Sequence, residues 1–216
     1  MSGMLEIKSF TFGPFATNTY VVSNEQGNAL LIDPACSNQY EQQQLENYIN
    51  ALPSKGGSKA GLSAIVATHG HLDHLWGARW ATDKWQLPVL LHPADIPMAQ
   101  AMQEQYNLFG IRATTESFPI AALEANFRPF GEGVGMDFSM LETPGHTQGS
   151  VCFYWPEEQT LISGDTLFCM GYGRTDLPGG STAQLIRSLE KLFALPTAVR
   201  VYPGHGETTT IGAERR

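Results

Sequence analysis

The chain opens in short runs of β-branched and aromatic residues separated by turn signals. Leu5–Phe12, Thr19–Ser23 and Ala29–Ile32 predict three strands, the last two joined by the turn Asn24-Glu25-Gln26-Gly27-Asn28. The period then changes. Gln39–Leu52 places Tyr40, Leu45, Tyr48, Ile49 and Leu52 near helical spacing, with Pro53 as a stop and Ser54–Ser58 as a loop. Leu62–Ala67 is an apolar run short enough for a buried strand. His74–Trp85 predicts a helix with Leu75, Ala78 and Trp85 inward and Asp73 as its N-cap. Val89–Leu91 predicts a strand, Pro97–Phe109 a helix and Ala113–Ala125 an irregular or lightly helical stretch. Strands return at Phe127–Phe130, Phe138–Leu141, Ser150–Trp155 and Thr160–Ser163. Leu167–Gly180 is a Gly-rich loop, Thr182–Phe193 a helix and Ala198–Tyr202 the last strand.

Strands and helices alternate within each half, and the meanders require antiparallel pairs. An α+β fold with two mixed sheets and helices outside fits better than a doubly wound parallel sheet. With 216 residues, 42% of them hydrophobic and 16% charged, the chain suits a single globular domain over 1–216. The formal charge of −8 argues against nucleic acid held by general electrostatics. No stretch approaches the ~20 apolar residues of a membrane span. Cys36, Cys152 and Cys169 are too few and too scattered for a disulfide framework, and the first residues lack a signal-peptide core. A cytoplasmic protein with a small-molecule substrate is expected; the oligomeric state is left open.

The densest chemistry is Thr68-His69-Gly70-His71-Leu72-Asp73-His74, directly after the apolar strand. Three imidazoles and a carboxylate within six residues suit zinc or another first-row divalent metal. His69 and His71 are two apart and can point to one side of an extended segment. A merely polar His-rich loop is the bland alternative. Three further candidates follow strands at Gly-containing turns: His146 in Thr143-Pro144-Gly145-His146-Thr147, Asp165 in Ser163-Gly164-Asp165, and His205 in Pro203-Gly204-His205-Gly206. Each alone would more often be a turn residue than a ligand. His92, after Val89–Leu91, is at most an extra ligand or an outer hydrogen-bond donor. Met98, Met102, Tyr106 and Phe109 recur at helical spacing and read as core packing, with an apolar lid as the alternative.

Taken in order, these motifs resemble the metallo-β-lactamase superfamily, in the branch similar to glyoxalase II (hydroxyacylglutathione hydrolase). The resemblance spans nearly the whole chain. It implies a four-layer αβ/βα sandwich with two metal ions at one edge, zinc foremost and iron or manganese as alternatives. His69, His71 and His146 would hold the first metal, Asp73, His74 and His205 the second, and Asp165 would bridge them. Asp73 and Asp165 would also serve catalysis, Asp73 by orienting a metal-activated hydroxide that attacks a thioester of the 2-hydroxyacyl-thiol type. No Ser or Cys nucleophile is needed, so Cys152 and Cys169 read as structural. Gly173-Arg174-Thr175-Asp176 with Pro178-Gly179-Gly180 resembles a loop of small glyoxalase II-like hydrolases, where Arg174 would pair with Asp176. Phe168, Tyr172 and Arg174 are the substrate candidates.

The pattern departs from full-length glyoxalase II after His205, where only Gly206–Arg216 remain in place of a helical domain bearing basic residues for glutathione. A pocket built from Pro97–Asn126 and Leu167–Gly180 would offer just Arg112 and Arg174 as well-placed cations, so weak use of glutathione thioesters is expected. Two other activities share these motifs by resemblance. One is a persulfide dioxygenase with a single iron on His69, His146 and Asp165; the other is a lactonase. A true β-lactamase fits less well.

Overall fold

The computed structural model describes residues 5–52, 61–130 and 138–215. Thirteen strands and six α-helices follow one another along them. The first meander is β1 (Glu6–Phe12), β2 (Thr17–Ser23) and β3 (Asn28–Ile32), paired antiparallel. The turn between the last two is closed by Asn24, whose Oδ1 accepts from the backbone N–H of Gln26 and of Asn28, each at 3.0 Å. Helix α1 (Gln39–Asn50) is capped by Asn38, whose side chain accepts from Glu41 N. It buries Leu45 and Ile49, but Tyr40 stands 73% exposed and does not join the inward face. The predicted loop at Ser54–Ser58, with Pro53, lies outside the described residues.

Strands β4 (Gly61–Val66), β5 (Val89–Leu91) and β6 (Ile120–Ala122) add to β3 in parallel and complete a six-stranded mixed sheet. β6 corrects the expectation of an irregular or lightly helical Ala113–Ala125: pairing with β5, not local periodicity, makes three residues a strand. Between β4 and β5 lies α2 (Ala78–Trp85), which starts four residues later than expected. Its cap is Gly77, and Asp73 is not an N-cap. Residues 72–77 are spent on turns, and Asp73 accepts a hydrogen bond from Thr17 Oγ1 at 3.0 Å instead. The predicted helix Pro97–Phe109 breaks at Ala101 (φ −88°, ψ 30°) into α3 (Ile96–Gln100) and α4 (Met102–Leu108). The apolar stripe splits with it: Met102 and Tyr106 are buried, whereas Phe109 is 40% exposed.

The second sheet runs β13-β12-β9-β8-β7, from β7 (Ser139–Glu142), β8 (Val151–Trp155), β9 (Thr160–Gly164), β12 (Arg200–Pro203) and β13 (Thr209–Thr210). Only the β12–β9 pair is parallel. Phe127–Phe130 is not a strand, although Phe127 and Phe130 still pack into the core between the sheets. The loop after β9 contains the two-residue strands β10 (Leu167–Phe168) and β11 (Gly171–Tyr172). Helix α5 (Thr182–Phe193) follows with Ser181 as its cap. The chain continues past β12 into β13 and α6 (Ile211–Glu214), so β12 is not the last element.

Alternation along the central strands sorts side chains into three cores. Tyr20, Val22, Leu30 and Ile32 face Phe153, Trp155 and Ile162 across the two sheets. Their neighbours Val21, Ala29 and Leu31 point outward against Leu45 and Ile49 of α1 and Ala78 and Ala81 of α2. Cys152, Tyr154 and Leu161 point the other way, onto Leu192 of α5 and Ile211 of α6. The order is helix, sheet, sheet, helix: the expected four-layer sandwich with two mixed sheets. Cys36 and Cys152 are buried, but Cys169 is exposed and has no packing role. Among the described residues no helix is long and apolar enough to cross a membrane.

Candidate metal centre

Five chain segments meet at one edge of the two sheets, each leaving the end of a strand. The loop after β4 carries His69, His71, Asp73 and His74; those after β7, β9 and β12 carry His146, Asp165 and His205. The fifth segment, leading from β1 into the first residues of β2, supplies no candidate ligand but ties the edges together. Asn18 Nδ2 donates to the carbonyls of Pro203 and Gly206 at 3.0 and 2.9 Å, and Tyr20 Oη donates to Pro203 at 2.6 Å. Gly204 permits the closest approach: a Cβ there would overlap Asp165 Oδ1 and lie 2.7 Å from His74 Cε1.

The seven side chains converge in overlapping trios. The nitrogens of His69, His71 and His146 form one set, those of His74 and His205 with an Asp73 oxygen a second, and His69, His74 and Asp165 a third, each within 4.8 Å. Asp165 reaches toward both ends, with Oδ1 3.3 Å from His74 Nε2 and Oδ2 3.5 Å from the Nε2 atoms of both His146 and His205. Asp73 Oδ2 lies 3.1 Å from His205 Nε2 and 3.5 Å from His74 Nε2.

Most of the rings are aimed by the nitrogen turned away from the centre. His74 Nδ1 bonds Asp33 Oδ2 at 2.9 Å, His146 Nδ1 the Arg174 carbonyl at 2.7 Å, His205 Nδ1 the Phe15 carbonyl at 3.1 Å, and His69 Nδ1 the Thr68 hydroxyl at 3.1 Å. The inward atoms His69 Nε2, His74 Nε2 and Asp165 Oδ1 are buried with no hydrogen-bond partner. Stranded buried donors and acceptors are costly and rare. Borderline nitrogen and carboxylate oxygen pointing at shared centres is the donor set that divalent first-row metals take, so the residues fit such ions. His71 Nδ1 and His146 Nε2 lie 2.8 Å apart and face the same point.

Charge divides the cluster. Burial, with the neighbouring His74 and His146, holds His69 well below the usual imidazole range. Burial and His146 push His71 down to about 3. Burial also opposes a charged His74, but Asp73, Asp165 and Asp33 outweigh it and raise its pKa well above normal. His205 is raised against its own burial by Asp73 and Asp165. Burial disfavours both carboxylates in turn, yet His74 and His205 hold Asp73 and Asp165 below the usual range. His69 and His71 therefore favour the neutral imidazole that a metal takes, while His74 and His205 favour protons that a bound metal would displace.

Two buried carboxylates that sequence reasoning missed support these loops. Asp33, with φ 54°, accepts from Thr68 N at 2.7 Å and Thr68 Oγ1 at 2.8 Å as well as from His74. Asp95 accepts from Gly70 N at 2.8 Å, Thr147 Oγ1 at 2.6 Å and Gly149 N at 2.7 Å, fastening the His69–His71 loop to the His146 loop. The only sequence hint was an aspartate just after each of two strands. His92 joins none of the ligand trios and lies 3.6 Å from Glu142 at the surface. Of the substrate candidates, Phe168 packs edge-on to His205 with ring centroids 6.0 Å apart, and Tyr172 is 65% exposed. Arg174 pairs with Asp176 through two bonds of 2.7 and 2.6 Å and borders a small cleft of about 180 Å3 above the cluster, beside Phe15, Phe109 and Leu177.

Comparison with known proteins agrees with this geometry. Hydroxyacylglutathione hydrolase GloC of Haemophilus influenzae is 31% identical over 94% of this chain and 91% of its own. A solved structure described as TTHA1623 in a di-iron-bound form is 35% identical, with a TM-score of 0.80 and 97% of both chains covered. The BLEG-1 B3 metallo-beta-lactamase is 32% identical, with a TM-score of 0.80 over 97% of this chain and 96% of that one. The family model for the metallo-beta-lactamase superfamily matches residues 12–205, from the end of β1 to His205 itself. A chain with this fold, this edge of histidines and aspartates and that match belongs to the metallo-β-lactamase superfamily.

Proposed function

We propose that this protein is a binuclear metal-dependent hydrolase of thioesters, similar in reaction to the glyoxalase II branch. The observation that carries the two-metal reading is the Asp165 carboxylate, set between two separate ligand trios and within 3.5 Å of histidines from each. His69, His71 and His146 would hold one ion, Asp73, His74 and His205 the other, with Asp165 shared. Bound there, two divalent ions supply water of pKa ~7 and an electrophile for the substrate carbonyl. Zinc suits the donor set; the di-iron relative makes iron the first alternative, and manganese the next.

The chain's own residues do the rest. The Asp73 carboxylate, held by Thr17 and His205, can accept a proton bond from the attacking water and fix its direction. Phe15, Phe109 and Leu177 wall the cleft against bulk water. Hydrolysis forms a C–O bond and breaks the C–S bond, releasing a carboxylate, a thiol and one proton. A thiolate leaves readily and needs little acid assistance, in keeping with a cleft that no Lys, Tyr or Cys lines among the described residues.

The deciding experiment is elemental analysis of the native protein together with a panel of thioester, lactone, persulfide and β-lactam substrates. Two ions per chain with thioester turnover are expected. Asp165→Asn should lower both metal content and turnover by orders of magnitude while the circular dichroism stays folded. One iron per chain with oxygen consumption on persulfides would replace this reading by the dioxygenase, which leaves Asp73, His74 and His205 without a role.

A further inference from the structure

A groove of about 490 Å3 opens beside the cleft, between α3–α4 on one side and Leu177–Gly179 on the other. His71, Phe109 and Leu177 line both, so the two spaces are continuous. Its wall is made chiefly of Pro97, Met98, Leu108, Phe109, Leu177 and Pro178. Two of these are large side chains left in water: Leu108 is 61% exposed and Phe109 40%. They sit at the C-terminal end of α4, while Ala101, where the predicted helix breaks, lines the groove at the other end of the same helix.

The charge of the groove is as informative as its apolar wall. Among the described residues no lysine or arginine lines it. Its two carboxylates differ: Asp95 is saturated by three donors, while Glu104 is exposed. Arg174, at the mouth of the cleft, is engaged by Asp176. An anionic arm would meet Glu104 with nothing to pair it, whereas an apolar arm would cover Leu108, Phe109 and Met98. Carrier thiols are polar and mostly anionic, so the apolar arm of a thioester is its acyl chain. The volume is roughly three times the ~150 Å3 that holds one benzene, far more than a two- or three-carbon acyl group fills.

We propose that this groove is an acyl-chain pocket, and that the enzyme's substrates are thioesters with an uncharged, apolar acyl chain of medium length. This rests on the hydrolase reading above. The carbonyl would lie in the cleft over the ligand cluster, the chain would run past His71 along α4, and the carrier thiol would remain toward solvent.

The test uses the metal-loaded full chain with acetyl, butanoyl, hexanoyl, octanoyl and succinyl thioesters of one small uncharged thiol. The value of kcat/KM should climb about three- to fourfold per methylene until the groove fills. The succinyl ester should fall about tenfold below the butanoyl ester of equal chain length, and Glu104→Lys should narrow that gap. Calorimetric binding of non-hydrolysable 2-oxoalkyl thioethers of the same lengths gives a readout without turnover; affinity should follow chain length and collapse in Leu108→Asp. A series flat in both kinetics and binding, or a preference for succinyl, overturns the pocket and leaves thioester hydrolysis standing. Binding that follows chain length with no thioester hydrolysed keeps the pocket and overturns the hydrolase reading.

Discussion

Asp95 carries no metal, yet three donors from two ligand-bearing loops end on its carboxylate. Removing it as Asp95→Ala strands the N–H groups of Gly70 and Gly149 in a buried place. The expected cost is about 3 kcal/mol or more, since each buried unsatisfied donor costs ~1–3 kcal/mol. Metal affinity should drop ~10–100-fold, as for other outer supports of a metal site. Urea denaturation and competition with a chelator measure the two effects; unchanged affinity in a folded variant would show that the loops hold their geometry without it. His71 supplies a pH test in the metal-free protein. Its pKa is lowered to about 3 in the folded chain, against 6.5 unperturbed. The unfolded chain therefore takes the proton first, and the stability His71 contributes is complete above pH 6.5 and lost as pH falls toward 3. Wild type should lose up to about 2 kcal/mol relative to His71→Gln between pH 6.5 and 5. His74 and His205 have raised pKa values and titrate with the opposite sign, but both proteins share them. Parallel stability curves for the two proteins would refute the shift.

At the scale of elements, helix α4 is tied to the metal loop by one side chain. Gln105 Nε2 donates to the carbonyls of Gly70 and Met98 at 3.0 Å each, and its Oε1 accepts from Leu72 N at 2.9 Å. Gln105→Ala should cost about 1–3 kcal/mol and weaken metal at the His71 end, because the backbone on both sides of that ligand loses a partner. Thermal denaturation and metal titration report the two effects, and a variant with native metal affinity would mean that Asp95 alone aligns the loop. The helix boundaries escaped local reading here. The pattern of Met98, Met102, Tyr106 and Phe109 is helical throughout, yet the chain breaks at Ala101, and Gln105 beyond the break reaches Gly70 and Leu72. The helix expected from His74 fails as well: Asp73 bonds Thr17, 56 residues away, more usefully than it would cap a helix.

Across the whole molecule, the centre spans both sheets and depends on their alignment. Asn18 and Tyr20 on β2 hold the end of β12 through Pro203 and Gly206, which places His205 opposite the loop after β4. Asn18→Ala should remove two of these bonds, costing about 1–3 kcal/mol. It should release metal from the Asp73–His74–His205 end before the His69–His71–His146 end. Differential chelation followed by absorbance of a cobalt-substituted protein would reveal the order, and simultaneous loss would count against an inter-sheet role.

The chain itself determines the local elements and the chemistry available at their ends. Runs of five to seven residues rich in β-branched, aliphatic and aromatic side chains make strands at β2, β3 and β8 by local preference, and their side chains alternate between the two faces. Histidines and aspartates placed after strands, beside glycines, announce their type and their position at an edge, because residue identity and turn propensity are local properties. Tertiary structure decides what no local property encodes. Strand β6 exists through its pairing with β5, and Phe127 and Phe130 reach the core without a strand because the two sheets close over them. Asp33 and Asp95 became supports because their donors lie 35 and 54 residues away in Thr68 and Gly149. The groove beside the cleft arises from the break at Ala101 facing the loop at Leu177, two segments brought together only by packing. Hydrogen bonds and cavities between distant segments follow from the layers, and a one-dimensional pattern carries no term for them.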